Sequence, residues 1–322
     1  MKKINNRKSF IVGISSTKLT PVEKKFIKKY KPWGIILFSR NIKSLYQVKK
    51  LVENIKSIFK DSNYPILIDE EGGKVSRLGS IINTKMFSAK YFGTLYRKNK
   101  KNFELEFSIY VNHISNLLAY IGININTVPV LDIIRKKTNK IIGDRSFSPN
   151  LKDISFFGDK TIKLFKKKNI GTVIKHIPGH GLAKLDSHTH LPVILEKKKY
   201  LFKNDFVAFK KKDSILAMTA HIIYKDIDNI NTATHSKKII YLIRNKINFK
   251  NLLITDDISM KALKHSLKMN INKAFTAGCD IVLHCNGNIK EMNVVAKNSP
   301  KLSNFVIKKT LELYKIFNYG KS

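Results

Sequence analysis

Short apolar runs recur along the chain at Phe10–Ile14, Gly34–Phe38, Pro65–Asp69, Asn124–Val130, Thr172–His176, Leu216–His221, Leu252–Asp256 and Ile281–Cys285. Each is too short for a helix and reads as a strand. Between them the pattern changes to a helical period. Thr20-Pro21-Val22-Glu23 is a capping box with proline at the first helical position. Ser44 opens a segment with apolar residues at Leu45, Val48, Leu51, Val52 and Ile55. A third helix, from about Phe103 to Ile121, stops at Gly122, and further helical runs fall near Ile154–Lys168, Lys237–Ile247 and Lys301–Ile316. No Pro/Gly/Ser-rich linker, low-complexity tract or repeat of roughly 20 to 50 residues interrupts this order.

Eight strands alternating with helices over 322 residues predict an α/β fold, a single (β/α)₈ TIM barrel, with its functional residues at the carboxyl ends of the strands. The polar residues fall where that fold needs them. Asp69-Glu70-Glu71 follows the third run, Asp132 and Gly143-Asp144-Arg145 follow the fourth, Lys175-His176 ends the fifth, His221 the sixth and Thr255-Asp256-Asp257 the seventh. A doubly wound open sheet would want a glycine-rich phosphate turn after the first strand, and Gly13-Ile14-Ser15-Ser16 does not supply one.

Composition adds little to this picture. A net charge of +38 would ordinarily suggest nucleic acid or an anionic membrane, but only 7 of the 61 basic residues are arginine. Phosphate and base recognition favours the arginine fork, whereas lysines spread through helices and loops read as solvated surface. The basic start is followed by an apolar run, Phe10–Ile14, too short for a signal peptide, and nothing approaches the roughly 18 apolar residues of a spanning helix. The expectation is a soluble, cytoplasmic monomer with no nucleic-acid or membrane partner. Cys279 and Cys285 sit in apolar surroundings without a C-x-x-C pattern and read as buried thiols.

Chemistry concentrates in Lys175-His176-Ile177-Pro178-Gly179-His180-Gly181, followed by Asp186-Ser187-His188-Thr189-His190, where four of the nine histidines fall within fifteen positions. Pro178, Gly179 and Gly181 disfavour a continuing strand or helix, so this is a loop leaving the barrel mouth. One reading is a metal site built from His176, His188, His221 and Asp256; against it, barrel metallohydrolases draw ligands from the first strand, and Phe10 to Ser15 offers none. The other is acid/base chemistry. Asp186 stands two residues before His188 and can orient its imidazole, leaving the second ring nitrogen to move a proton, with Asp256 as the opposing carboxylate. Asp257 or Thr255 would serve equally well to cap the following helix.

The strings around Asp69-Glu-Glu-Gly-Gly-Lys-Val-Ser-Arg77, Gly-Asp-Arg145-Ser-Phe, Lys175-His176-Ile-Pro-Gly-His-Gly, Asp186-Ser-His188 and Thr-Asp256-Asp-Ile-Ser-Met together resemble, in order, the signature series of the family 3 β-N-acetylhexosaminidases. With their flanking strands they cover about residues 10 to 290. The resemblance implies one family 3 N-terminal-type barrel over residues 1–322, free of metal and cofactor. It implies a retaining exo-β-N-acetylglucosaminidase acting on a small carbohydrate, a muropeptide fragment such as GlcNAc-1,6-anhydroMurNAc, in cell-wall recycling. Asp256 would be the nucleophile and His188, oriented by Asp186, the acid/base, while Asp69, Arg77, Arg145, Lys175 and His176 would hold the sugar. A histidine acid departs from the usual two-carboxylate template, and a neutral imidazole repels an incoming anion less than a carboxylate would, so a phosphorylase stands as the alternative to hydrolysis, beside the metal-dependent hydrolase. Lys74-Val75-Ser76 departs from the family's common Arg-Val-Gln, and Glu70 from its common Gln. The glycines of the histidine loop lead to the expectation that the loop moves to bring His188 over the sugar.

Overall fold

A computed structural model describes residues 4–136, 138–187 and 190–318. All eight apolar runs form strands: β1 (Lys8–Gly13), β2 (Pro32–Leu37), β3 (Ile66–Ile68), β4 (Ile125–Asn126), β5 (Gly171–Ile177), β6 (Leu216–Thr219), β7 (Leu252–Asp257) and β8 (Ile281–His284). Every neighbouring pair is parallel, and β1 closes the sheet by pairing with β8 as well as β2, which makes the predicted eight-stranded barrel. Asn124–Val130 is regular over only two residues. Proline at 129 has no N–H to donate, but the chain beyond β4 stays tied to β5, Lys175 N–H donating to the Pro129 carbonyl at 3.1 Å and Leu131 N–H to the Lys175 carbonyl at 2.7 Å.

Successive strand residues face opposite sides, so each strand feeds two cores. Phe10, Val12, Ile66, Ile68, Leu253 and Val282 pack outward against the helices, while Ile11, Leu67, Leu252, Ile254, Ile281 and Leu283 fill the barrel. The helix at Pro21–Tyr30 starts with the predicted capping box, Glu23 N–H donating to Thr20 Oγ1 at 3.1 Å and Thr20 N–H to Glu23 Oε2 at 2.8 Å. The long helix, Lys100–Ile121, stops at Gly122, whose φ of 83° closes the C-cap in the left-handed region. Among the described residues no helix is long and apolar enough to cross a membrane.

The amino-terminal end of the barrel is covered by the last helix, Asn304–Phe317, whose Val306, Leu313 and Phe317 join the interior cluster. Trp33 is wholly buried there and its indole donates to Thr310 Oγ1 at 2.8 Å. Nearby, the buried Arg7 guanidinium lies over the stacked rings of Tyr64 and Phe59 and pairs with Asp61 and Tyr314. This fills the barrel's amino-terminal end and leaves its carboxyl-terminal mouth open. Leu313→Ala is expected to destabilise the fold by about 2–5 kcal/mol, read by urea unfolding. A loss well under that would mean the helix does not seal the floor.

Candidate active site

At the end of β3 three acidic residues follow one another and do different things. Asp69 and Glu71 line a cavity of about 250 Å³ at the barrel mouth. Asp69 accepts from the Thr127 hydroxyl, from Lys175 Nζ at 3.3 Å and from Arg77 Nη2 at 3.2 Å. Glu71 accepts both arms of Arg145, at 2.8 and 2.9 Å, and stands 2.6 Å from Lys175 Nζ. Burial alone would raise both carboxyls, but the cations prevail: Lys175 and Arg77 hold Asp69 far below the carboxylate range, and Arg145 and Lys175 hold Glu71 at about 2. Glu70 points the other way. Its carboxylate accepts from Arg77 N–H (2.8 Å), Leu78 N–H (3.0 Å), Ser76 Oγ (3.2 Å) and Thr84 Oγ1 (3.1 Å), which folds residues 71–84 back over the strand end and presents Arg77 to Asp69.

Lys175 and His176, at the end of β5, are almost wholly buried. The Lys175 ammonium also donates to Thr127 Oγ1 at 2.9 Å, so it bridges the ends of three strands. His176 Nδ1 donates to Asp132 Oδ2 at 2.7 Å. Burial opposes the charge on Asp132, yet the His176 and His180 imidazoles keep its carboxyl below the ordinary range. An ionised acceptor fixes the Nδ1–H tautomer and the ring plane of His176.

Asp256 and Asp257 close β7 with different roles. Asp256 lines the cavity, and its Oδ1 accepts from Asp257 N–H at 2.8 Å. Asp257 Oδ1 accepts from Ser259 N–H (3.1 Å), Ser259 Oγ (2.8 Å) and Cys285 N–H (3.2 Å), which caps the turn after β7 and ties it to β8. His221 is fully buried, with Nδ1 2.7 Å from Thr234 Oγ1 and Nε2 3.0 Å from the Asp257 carbonyl. Both ring nitrogens that a metal site would use are thus engaged within the protein.

Six of the eight residues named from the sequence, Asp69, Arg77, Arg145, Lys175, His176 and Asp256, line one cavity. Asp186 immediately precedes Ser187, which lines it too, and its carbonyl accepts from His190 N–H at 2.8 Å. His188 lies outside the described residues. Sequence reasoning assigned no individual role to Glu71, Thr127 or His180, although Glu71 and His180 fall in the segments it singled out. Strand alternation carried past Ile68 would have found the first, since it places 69 and 71 on one side and 70 on the other. Cys279 is buried, as expected; Cys285 is only partly so, because it stands in the cavity wall.

A closed parallel barrel whose carboxyl-terminal mouth holds one cavity lined by the β7 carboxylate and a cation-braced acidic cluster has the architecture of a barrel enzyme. The model of the glycosyl hydrolase family 3 N-terminal domain matches residues 5–310. A β-hexosaminidase of Psychromonas ingrahamii is 31% identical over 284 residues, 86% of this chain and 82% of that protein. One from Actinobacillus pleuropneumoniae serotype 5b is 30% identical, covering 86% and 80%. NagZ from Neisseria gonorrhoeae, solved in complex with N-trifluoroacetyl-D-glucosamine, superposes with a TM-score of 0.85 at 26% identity, over 96% of this chain and 90% of that one. The chain belongs to glycoside hydrolase family 3 and is a glycoside hydrolase of its β-N-acetylhexosaminidase line.

Proposed function

We propose that the protein is a retaining exo-β-N-acetylglucosaminidase, a cytoplasmic monomer that needs no metal or cofactor and releases terminal β-linked GlcNAc from muropeptide fragments such as GlcNAc-1,6-anhydroMurNAc. Asp256 attacks the anomeric carbon to form a glycosyl-enzyme. His188, oriented by Asp186, protonates the leaving oxygen and then draws the proton from the water that attacks the intermediate. Asp69, Arg77, Arg145, Lys175 and His176 hold the sugar through its hydroxyl and acetamido groups. The observation that carries this reading is the state of the two cavity-lining acidic residues at the end of β3. Asp69 and Glu71 are locked in ion pairs that keep them ionised near neutral pH, so neither can give a proton to the leaving group, and an imidazole suits that task. The N-acyl aminosugar bound to NagZ supports the choice of sugar, and the muropeptide context follows from the family resemblance.

The test is turnover of the disaccharide and of p-nitrophenyl β-GlcNAc, with proton NMR of the first-formed product. Retention requires β-GlcNAc first; the α anomer, or a sugar phosphate formed when phosphate is present, would sink the hydrolytic retaining mechanism. His188→Ala should lower kcat on the disaccharide by roughly 10²–10⁴-fold, and on the aryl glycoside far less because its leaving group needs no proton. Equal losses on both substrates would contradict the assignment of the acid.

A further inference from the structure

We propose that His180 is a positioning residue that registers the acid/base segment against the barrel, by tying the side chain of Ser187, the residue that follows Asp186. The proposal rests on the reading of Asp186 and His188 as the acid/base pair.

The loop leaving β5 is unevenly held. Its first part is strapped down: the Gly179 carbonyl accepts from Tyr224 Oη at 2.5 Å and the Gly181 carbonyl from Thr138 Oγ1 at 2.5 Å. Asn139 holds the Ala183 carbonyl through its N–H and the Lys184 carbonyl through Nδ2, both at 2.9 Å. A Cβ on Gly181 would stand 2.1 Å from the Ile133 carbonyl oxygen, so the backbone there has no slack. Gly179 packs against Asp205 and Gly181 against Ile133 and Thr138. Ser187, three residues past this strapping, is tied by its side chain. Its Oγ lies 3.2 Å from His180 Nε2, and both residues are buried.

His180 is itself anchored. Its N–H donates at 2.6 Å to Asp132 Oδ1, the carboxylate that also fixes His176. One buried aspartate therefore sets both a sugar-binding imidazole and, through His180 and Ser187, the stretch in which Asp186 stands. Burial holds the His180 imidazole down at about 4, so it stays neutral where the enzyme works and serves as a hydrogen-bond partner without competing for the proton in transfer.

His180→Ala, Ser187→Ala, their double variant and Ser187→Thr would each be assayed on GlcNAc-1,6-anhydroMurNAc and p-nitrophenyl β-GlcNAc, with His188→Ala beside them. Each alanine variant should lower kcat on the disaccharide by roughly 10–100-fold with KM nearly unchanged, and spare the aryl glycoside. The double variant should match the worse single one, since both remove one link. Ser187→Thr, which keeps the hydroxyl, should recover most of the activity. Equal losses on both substrates, or additive losses in the double variant, would overturn the tether. If His188→Ala discriminates between leaving groups and the tether variants do not, the tether fails alone. If His188→Ala itself does not discriminate, the acid/base reading fails and the tether with it.

Discussion

Replacing Asp256 by Asn should lower kcat by roughly 10⁴-fold or more on disaccharide and activated glycoside alike, because an amide cannot form the glycosyl-enzyme and no leaving group compensates for a missing nucleophile. The fold should persist, since Asn retains an oxygen to accept from Asp257 N–H. The neighbouring carboxylate supplies the contrast. Asp257→Ala removes the acceptor of two N–H groups and a hydroxyl that join β7 to β8, so its effect should be on stability, about 1–3 kcal/mol in thermal or urea unfolding, with a smaller effect on turnover. A folded, inactive Asp257→Ala beside an active Asp256→Asn would reverse the assignment. Denaturing mass spectrometry of a mechanism-based fluorosugar adduct gives an independent answer, since the modified peptide would carry the label at Asp256.

Much of this was legible in the residues, and the parts that were not have physical reasons. The strands stand out because they are buried on both sides and read as unbroken apolar runs. The helix Leu267–Ala277 escaped notice because its buried face is Asn270, Ile271, Ala274 and Ala277, which carries little hydrophobic contrast, while Leu267, Met269 and Ile271 repeat every second residue as a strand would. The helices Ala89–Lys98 and Ile289–Asn298 are short and bury only three residues each. Within the site, the motifs found six side chains that line one cavity, but motif and spacing do not say what holds those side chains in place. Asp132 looked like one more polar residue at a strand end, whereas it organises two histidines from a different strand and loop. Glu70 looked like a departure from the family and is in fact a loop clamp whose four donors suit an acceptor-only carboxylate.

Glu71 brings the same lesson to its largest test. Its carboxylate is the common partner of Arg145 and Lys175, whose side chains are at most 10% exposed, so Glu71→Ala should leave two largely buried cations short of charge. Breaking such a pair from one side is expected to cost about 3–5 kcal/mol of stability, far more than a surface ion pair would. The sign of the pH dependence follows from the carboxyl's low value. Its folded-state pKa, about 2, lies below the ordinary 4.5, so its contribution is fully present above pH 4.5 and is lost as pH falls from there toward 2. Wild type should therefore lose stability steeply across that window, while Glu71→Ala, already weakened at neutral pH, should show a shallower slope there. Asp69, held lower still by Lys175 and Arg77, keeps some acid sensitivity in the variant, so the slope should diminish without vanishing. In kinetics the variant should raise KM for GlcNAc-terminated substrates, because Arg145 and Lys175 lose the group that fixes them, and Glu71→Gln should fall between alanine and wild type. Parallel acid-unfolding curves for wild type and Glu71→Ala would show that the pairing of Glu71 with Arg145 and Lys175 does not contribute to folding in this way.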